Sequence, residues 1–323
     1  MKKDEILESM EYVDAELINE ADNYAPAKKK NGWLKWGVLA ACFCIVMVGA
    51  FAANKYVKHL PKEKNPAEHI GERDDGLFVP SVELPKMEEG VAADMIGLVV
   101  YNSGIYTQEE DYYGDAAIAV DPLVGDYLGD ASGSIDEWSK KEEYAENFAS
   151  TMSGKVYAVK GYDTDFRICI REEVEDENGD PTLWIQFLER LNGITLNTGA
   201  DLFENRLHMQ GRVKSIQWQS HDDWNSGGEN MQDVNLDSAC WEDFLNEIDN
   251  EKFVYTWTDD ADKSIYDTPN QAHLILTMED GTIVRLRMME GGYVGYDALG
   301  WYFVQIPGET FDAVYAACGG THG

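Results

Sequence analysis

Residues 36–53 read WGVLAACFCIVMVGAFAA, eighteen residues without a charge. An α-helix of that length rises about 27 Å, which matches the hydrocarbon core of a bilayer. Trp33 stands before the stretch and Tyr56 after it, where amphipathic rings favour the headgroup level. We therefore predict a transmembrane helix over residues 33–54, and the rest of the chain is organised around it.

Two alternatives compete for the same stretch. A cleaved signal peptide is one, because Ala50-Phe51-Ala52 fits the small-x-small cleavage pattern. A lipoprotein signal is the other, because Leu39-Ala40-Ala41-Cys42 has the form of a lipobox. However, the apolar run is long, about thirty residues precede it, and Lys35 interrupts the few apolar residues before the cysteine. The sequence favours an uncleaved single-pass anchor.

Lysine counts do not orient this helix, because four lysines lie within a short distance on each side. The lysines before it, residues 28–30 and 35, crowd its near edge, and the body is poor in lysine and rich in Tyr and Trp. We predict a single-pass protein of the cell membrane whose amino end is cytoplasmic and whose body is extracytoplasmic.

The net charge of −34 is unevenly distributed. Residues 1–64 hold 9 acidic and 10 basic residues, which leaves 51 of the 60 acidic and 16 of the 26 basic residues for the rest. A body this acidic repels nucleic acid and anionic lipid, so we predict no nucleic-acid partner. Cations, cationic peptides and neutral sugars are compatible ligands.

The five cysteines do not form a disulfide framework. Cys42 and Cys44 lie in the predicted anchor, so Cys169, Cys240 and Cys318 remain in the body, where at most one pair can form. No C-x-x-C occurs, which argues against a zinc ribbon or a thiol-redox site. We predict no metal and no cofactor.

The tail, residues 1–32, contains one amphipathic stripe. Ile6, Met10, Val13 and Leu17 recur at helical spacing among charged residues. A solvated helix is one interpretation, and a docking helix for a cytoplasmic partner is the other.

The tail motif VDAELINEA, the lysine run after it and WLKWGVLAAC resemble a group of bacterial single-pass membrane proteins. The body phrases KVYAVKGYDTDFRICI, LNGITLNTGADLF and EGGYVGYDALGWYFVQIPGETFDAVYAAC resemble the same group. Genes of that group often neighbour genes for extracytoplasmic-function sigma factors, so the resemblance implies an anti-sigma-like topology and a sigma factor as the first candidate partner of the tail. The tail lacks the His-x3-Cys-x2-Cys zinc site of many anti-sigma factors. The resemblance implies no activity.

The predicted fold class is α+β. Residues 55–90 hold four of the nine prolines among charged residues and are predicted to be a linker. The acidic domain over residues 91–323 is predicted to combine antiparallel sheet with helices, beginning with a hairpin around Asn102-Ser103-Gly104.

The body also contains what looks like the same order of helices and strands twice. A helix at 136–150, strands from Lys155 and Asp165, and a helix at 200–207 form one round. A helix at 240–248, strands from Lys252 and Ala272, and a helix at 309–317 form the other. A duplicated helix-plus-meander module with halves 91–205 and 206–323 is one hypothesis, and two unrelated stretches are the alternative.

The candidate ligand-binding residues lie in HDDWNSGGEN, which is predicted to be a polar loop after the strand RVKSIQWQS. His221, Asp222 and Asp223 provide an imidazole and two carboxylates, and Trp224 adds an aromatic face. Such a set suits a sugar or a peptide, and adjacent residues rarely converge on one metal ion. A merely exposed loop is the alternative.

Two further patterns carry no site. The DENGD run, residues 176–180, departs from a calcium loop at its sixth and twelfth positions and is predicted to be a type I′ turn at Asn178-Gly179. G-x-S-x-G, S-x-x-K and H-E-x-x-H are absent, so we predict no catalytic residue and no enzymatic activity.

The sequence therefore predicts a membrane-anchored sensing or binding protein that signals inward through its tail. An anti-sigma-like regulator and a surface carbohydrate-active hydrolase are the alternatives. The identity of the external ligand stays open.

Overall fold

The structure is a computed structural model that describes residues 72–73, 76–82, 96–136, 139, 142–228, 230–258, 264–267 and 270–320. The predicted tail helix, with Ile6, Met10, Val13 and Leu17, lies outside the described residues. So do the sigma-factor contact assigned to it, the predicted transmembrane helix over residues 33–54 and most of the predicted linker.

Strands dominate the part of the chain that the structure describes. Its α-helices are α1 (Asp115–Val120), α2 (His221–Asn225), α3 (Ser238–Asn250) and α4 (Glu309–Ala317). Its strands are β1 (Glu72–Arg73), β2 (Gly76–Val79), β3 (Leu98–Tyr101), β4 (Gly104–Tyr113), β5 (Val124–Ser132), β6 (Ser153–Val159), β7 (Arg167–Glu175), β8 (Pro181–Glu189), β9 (Ile194–Leu196), β10 (Val213–Ser220), β11 (Gln232–Asp233), β12 (Phe253–Tyr255), β13 (Gln271–Met278), β14 (Ile283–Met289), β15 (Tyr293–Tyr296) and β16 (Tyr302–Gln305).

The predicted fold class, an anchored α+β protein, is wrong. The strands form three antiparallel sheets, ordered β1-β2-β9, β3-β4-β8-β7-β6-β5 and β11-β10-β13-β14-β15-β16-β12. Within the described ranges no helix is both long and apolar enough to cross a membrane. This finding contradicts the single-pass prediction and, with it, the predicted cell-membrane localisation with a cytoplasmic amino end and an extracytoplasmic body.

The two large sheets share one hydrophobic core. Residues of the six-stranded sheet, such as Cys169 and Phe187, pack in the same cluster as Leu274 and Leu286 of the seven-stranded sheet. The cluster also contains the apolar stripe of α3, which is Trp241, Phe244, Leu245 and Ile248. Part of the predicted linker joins this core, because β2 pairs with β9 and buries Leu77 and Val79.

The predicted duplication is wrong as aligned, because it matches β6 with β12. Strand β6 lies inside its sheet between β5 and β7, whereas β12 lies at an edge beside β16. What the sheets share is a different pattern. In each, the strand before a four-stranded meander pairs with the last strand of that meander, as β4 does with β8 and β12 with β16.

Local predictions fared unevenly. The hairpin at Asn102-Ser103 is confirmed, with positive φ at both residues, as are helices α3 and α4. No α-helix occurs at the described residues of the helix expected at 136–150, which are 136, 139 and 142–150, and Glu143–Ala145 forms a 3-10 turn there. The helix expected at 200–207 is also absent. Gly199–Asp201 forms a 3-10 turn, and no α-helix follows it.

The DENGD prediction was half right. A turn joins β7 and β8 at this run, but it is not type I′, since only Gly179 has positive φ. Asp176 Oδ1 accepts hydrogen bonds from the backbone N–H groups of Asn178 and Asp180, at 2.8 and 3.0 Å. That carboxylate oxygen therefore stabilises the turn.

A buried polar network joins the two large sheets. The Arg167 guanidinium donates to Glu189 Oε1 from Nε at 2.8 Å, and Glu189 Oε2 accepts from the Tyr296 hydroxyl at 2.9 Å. Arg285 pairs with Glu110, and the Tyr112 hydroxyl accepts from the Ile283 N–H at 3.0 Å. These bonds fix how the sheets meet in the common core.

Candidate functional site

The candidate site is built on one face of the seven-stranded sheet. Side chains alternate along a strand, so Leu274 and Leu276 of β13 enter the core while His273 lies on the opposite face. His273 stands directly opposite Arg287 of β14 and Gln219 of β10. This polar row is buried: 2% of the His273 surface and 4% of the Arg287 surface are exposed.

Helix α2 lies over this row. The segment predicted to be a polar loop is instead a one-turn helix, His221–Asn225, that directly follows β10. Ser220 is its N-cap: its hydroxyl accepts from the Asp223 N–H at 3.1 Å and donates to Asp223 Oδ2 at 2.8 Å. The Asp223 carboxylate is therefore engaged in holding the helix.

Helix α2 places the half-buried His221 beside the buried His273. His221 Nδ1 lies 3.2 Å from His273 Nε2, a hydrogen bond between the two rings. The rings are nearly coplanar, at 16°. On the far side, His273 Nδ1 lies 3.6 Å from Asp297 Oδ2. Asp297 begins the 3-10 turn Asp297–Leu299 that follows β15.

Trp224 covers the histidine pair. Its ring lies 4.4 Å from the His273 ring, with the two planes at 8°, and 5.6 Å from the His221 ring. The Arg287 guanidinium lies 5.1 Å from the Trp224 ring centroid and 5.3 Å from that of Tyr266. Arg287 Nε also lies 3.3 Å from Asp297 Oδ1, so its charge is matched by the carboxylate.

The electrostatics of the site keep both imidazoles neutral at pH 7. Burial lowers the pKa of His273 to about 4, against the opposing attraction of Asp297. Burial and the nearby Arg287 charge also lower the pKa of His221. The pKa of Asp297 falls well below its ordinary value, because Arg287 and His273 outweigh the desolvation of its carboxylate.

Sequence reasoning named part of this site. Of the four predicted residues, His221 and Trp224 meet at the histidine pair, Asp223 serves the helix cap, and Asp222 is exposed. His273, Arg287 and Asp297 were missed. A signal existed: His273 interrupts the apolar run AHLILTM, and Arg287 lies in RLRMM, so each is a polar residue in a strand that is otherwise buried.

Other chemistry finds little support in the described ranges. No group of three or more His, Cys, Asp or Glu side chains there is placed to hold a metal ion. Cys169, Cys240 and Cys318 are free thiols, and burial raises the pKa of Cys169 and of Cys318 to about 12. The thiolate is the reactive form, so these two buried cysteines are poor nucleophiles.

Comparison with known proteins adds no assignment. No protein-family model, no curated protein and no solved structure matches the chain.

Proposed function

We propose that this protein is a non-enzymatic binding protein that captures a cationic group, a Lys or Arg side chain of a polypeptide, at the face formed by His221 and Asp222. The proposal rests on the row Asp297–His273–His221, in which the Asp297 carboxylate lies 3.6 Å from His273 Nδ1 and a hydrogen bond joins the two imidazoles. This row of three residues determines which nitrogen of His221 carries the proton, and the acidic surface selects the charge of the ligand.

The carboxylate of Asp297 determines that pattern. A negative charge 3.6 Å from His273 Nδ1 favours a proton on that nitrogen. His273 Nε2 then carries a lone pair and accepts from His221 Nδ1. His221 is therefore protonated on Nδ1, and its Nε2 is a hydrogen-bond acceptor without a partner among the described residues.

The charges around that acceptor favour a cation. The positive charge of Arg287 is matched by Asp297, which leaves the exposed carboxylate of Asp222 as the ionised group beside His221. Residues 65–323 carry 51 acidic against 16 basic residues. Such a field attracts basic polypeptides at long range and repels anionic ones.

The test is fluorescence polarisation with a labelled Lys- and Arg-rich peptide, at pH 8 and low salt, against the full chain. We expect saturable binding that weakens with salt, and none for a peptide with Glu at the basic positions. Asp222→Asn is expected to raise Kd about two- to fivefold, which corresponds to the free energy that one exposed ion pair contributes. The matched control is Asp126→Asn, which removes an equal charge from an exposed position on β5.

The proposal fails if Asp222→Asn and Asp126→Asn change Kd equally, because binding would then reflect only net charge. It also fails if His221→Phe, which keeps a ring against Trp224 but lacks the acceptor, binds as tightly as the unchanged chain.

A hydrolase is the second candidate, and the same chain of residues supports it. An imidazole held by a second imidazole and a carboxylate is a form of general base. A panel of chromogenic glycosides and esters separates the two functions. A turnover that His221→Gln abolishes would favour the hydrolase over the binding protein.

A further inference from the structure

We propose that protonation of His221 releases the cationic ligand, and that His273 is the positioning residue that makes His221 Nε2 the proton acceptor. This inference rests on the proposed function, since it concerns the regulation of the same site. It follows from the order in which Asp297, His273 and His221 can take up a proton.

With His221 protonated on Nδ1, His221 Nε2 is the one position in the row Asp297–His273–His221 that can take a proton without disturbing a neighbouring contact. A proton on His273 Nε2 would place two N–H groups face to face across the 3.2 Å gap to His221 Nδ1. A proton on Asp297 would remove the charge that Arg287 requires, inside a region where 9% or less of each residue is exposed. A proton on His221 Nε2 disturbs neither contact.

The charged and titratable groups around His221 come from four elements. Helix α2 supplies Asp222, which favours the imidazolium, and β14 supplies Arg287, which opposes it. The turn after β15 supplies Asp297, which favours it, and β13 supplies neutral His273. His221 is half-buried whereas His273 is buried, so the desolvation penalty is smaller for His221. His221 therefore takes up the first proton.

Protonation inverts the chemistry of the face. The Nε2 lone pair that accepts from the ligand becomes an N–H donor, and the imidazolium places a positive charge beside Asp222. A Lys or Arg side chain then loses its acceptor and meets a like charge. Binding is full above the His221 pKa, which lies below 6.5, and is lost as the pH falls through it.

The first experiment measures the Kd of the Lys- and Arg-rich peptide from pH 8 to pH 5 on the full chain. Below the His221 pKa we expect Kd to rise about tenfold per pH unit, the slope for one linked proton. His221→Gln, which cannot titrate, is expected to give a pH-independent Kd. An equal Kd at pH 8 and pH 5 would overturn this inference and leave the proposed function standing, whereas no binding at pH 8 would overturn both.

The second experiment needs no ligand. Nitrogen-15 NMR of the histidine rings reports which nitrogen carries the proton. At pH 8 we expect His221 to be protonated on Nδ1, and on acidification to titrate before His273. In His273→Gln, whose amide can either donate or accept, His221 should become a mixture of tautomers with a changed pKa. A residue with a merely structural role would leave the His221 tautomer unchanged, and that result would remove His273 from the mechanism.

Discussion

Trp224 lies flat on His273, with ring centroids 4.4 Å apart and planes at 8°. One residue belongs to a one-turn helix and the other to a central strand, so this contact ties α2 to the seven-stranded sheet. A helix of five residues is not stable by itself. The short segment that carries the candidate site therefore depends on packing against residues far away in the sequence.

The first prediction tests that dependence. Trp224→Ala should lower the free energy of unfolding by about 2 kcal/mol, from lost apolar burial and the lost ring contact. Trp224→Phe retains a ring and should cost less than about 1 kcal/mol. Urea denaturation of both variants measures the difference. If Trp224→Ala is as stable as the unchanged chain, the stack does not hold the helix.

The second prediction concerns acid. The pKa of His273 is about 4 in the folded chain and ordinarily 6.5 when exposed, so the unfolded chain binds this proton first as the pH falls. Stability should therefore drop between pH 6.5 and pH 4, by roughly 3 kcal/mol from this group alone, and this contribution should level off below pH 4. His273→Gln should lose that much less over the same window. Chemical denaturation at each pH measures the free energy of unfolding of both chains. An equal loss of stability in the two chains over this window would contradict the assignment.

The third prediction concerns the buried Arg167–Glu189 ion pair of the six-stranded sheet, to which Tyr296 of the seven-stranded sheet donates. Glu189→Gln leaves the buried Arg167 charge uncompensated and should cost about 3–5 kcal/mol. Tyr296→Phe removes only the hydroxyl that donates to Glu189, at a cost of about 1.5–3 kcal/mol for a hydrogen bond to a charged group. Thermal unfolding ranks the two variants. A smaller loss for Glu189→Gln than for Tyr296→Phe would show that the charge is solvated.

The sequence predicted the strands better than their arrangement. β10, β13 and β14 are recognisable from alternation and β-branched composition, and the glycine turn after Met278 marks where β13 ends. Which strands become neighbours depends on contacts between distant residues, such as Phe253 with Val304, that no local pattern reports. The duplication was misaligned for this reason.

The candidate site shows the same division. His221 and Trp224 are recognisable because a histidine and a tryptophan stand in a polar segment. His273 and Asp297 are 52 and 76 residues beyond His221, and only the sheet register and the turn after β15 bring them to it. The helical form of the segment depends on the Ser220 cap and the stack on His273, so a sequence rich in Asp, Asn, Ser and Gly reads as a loop.

The last prediction tests the packing of the same sheet beside the site. Gly295 lies opposite Phe303, and a Cβ added to Gly295 would fall 2.7 Å from two atoms of that ring. The ring has little room to move, because 1% of Phe303 is exposed and Tyr266 and Tyr293 meet it edge-on. An aromatic ring laid across a strand glycine in this way supplies the packing that the glycine lacks.

Gly295→Ala should therefore cost about 1–3 kcal/mol by overpacking, although its backbone conformation is one that alanine tolerates. Phe303→Leu removes the obstructing ring at its own cost. In the double variant the added methyl group should no longer collide with the ring. Its loss of stability should therefore be smaller than the sum of the two single losses, by about 1 kcal/mol or more. Urea denaturation of the two single variants and the double variant measures this coupling. Strict additivity would show that the glycine is required for its backbone, and not for the ring that lies over it.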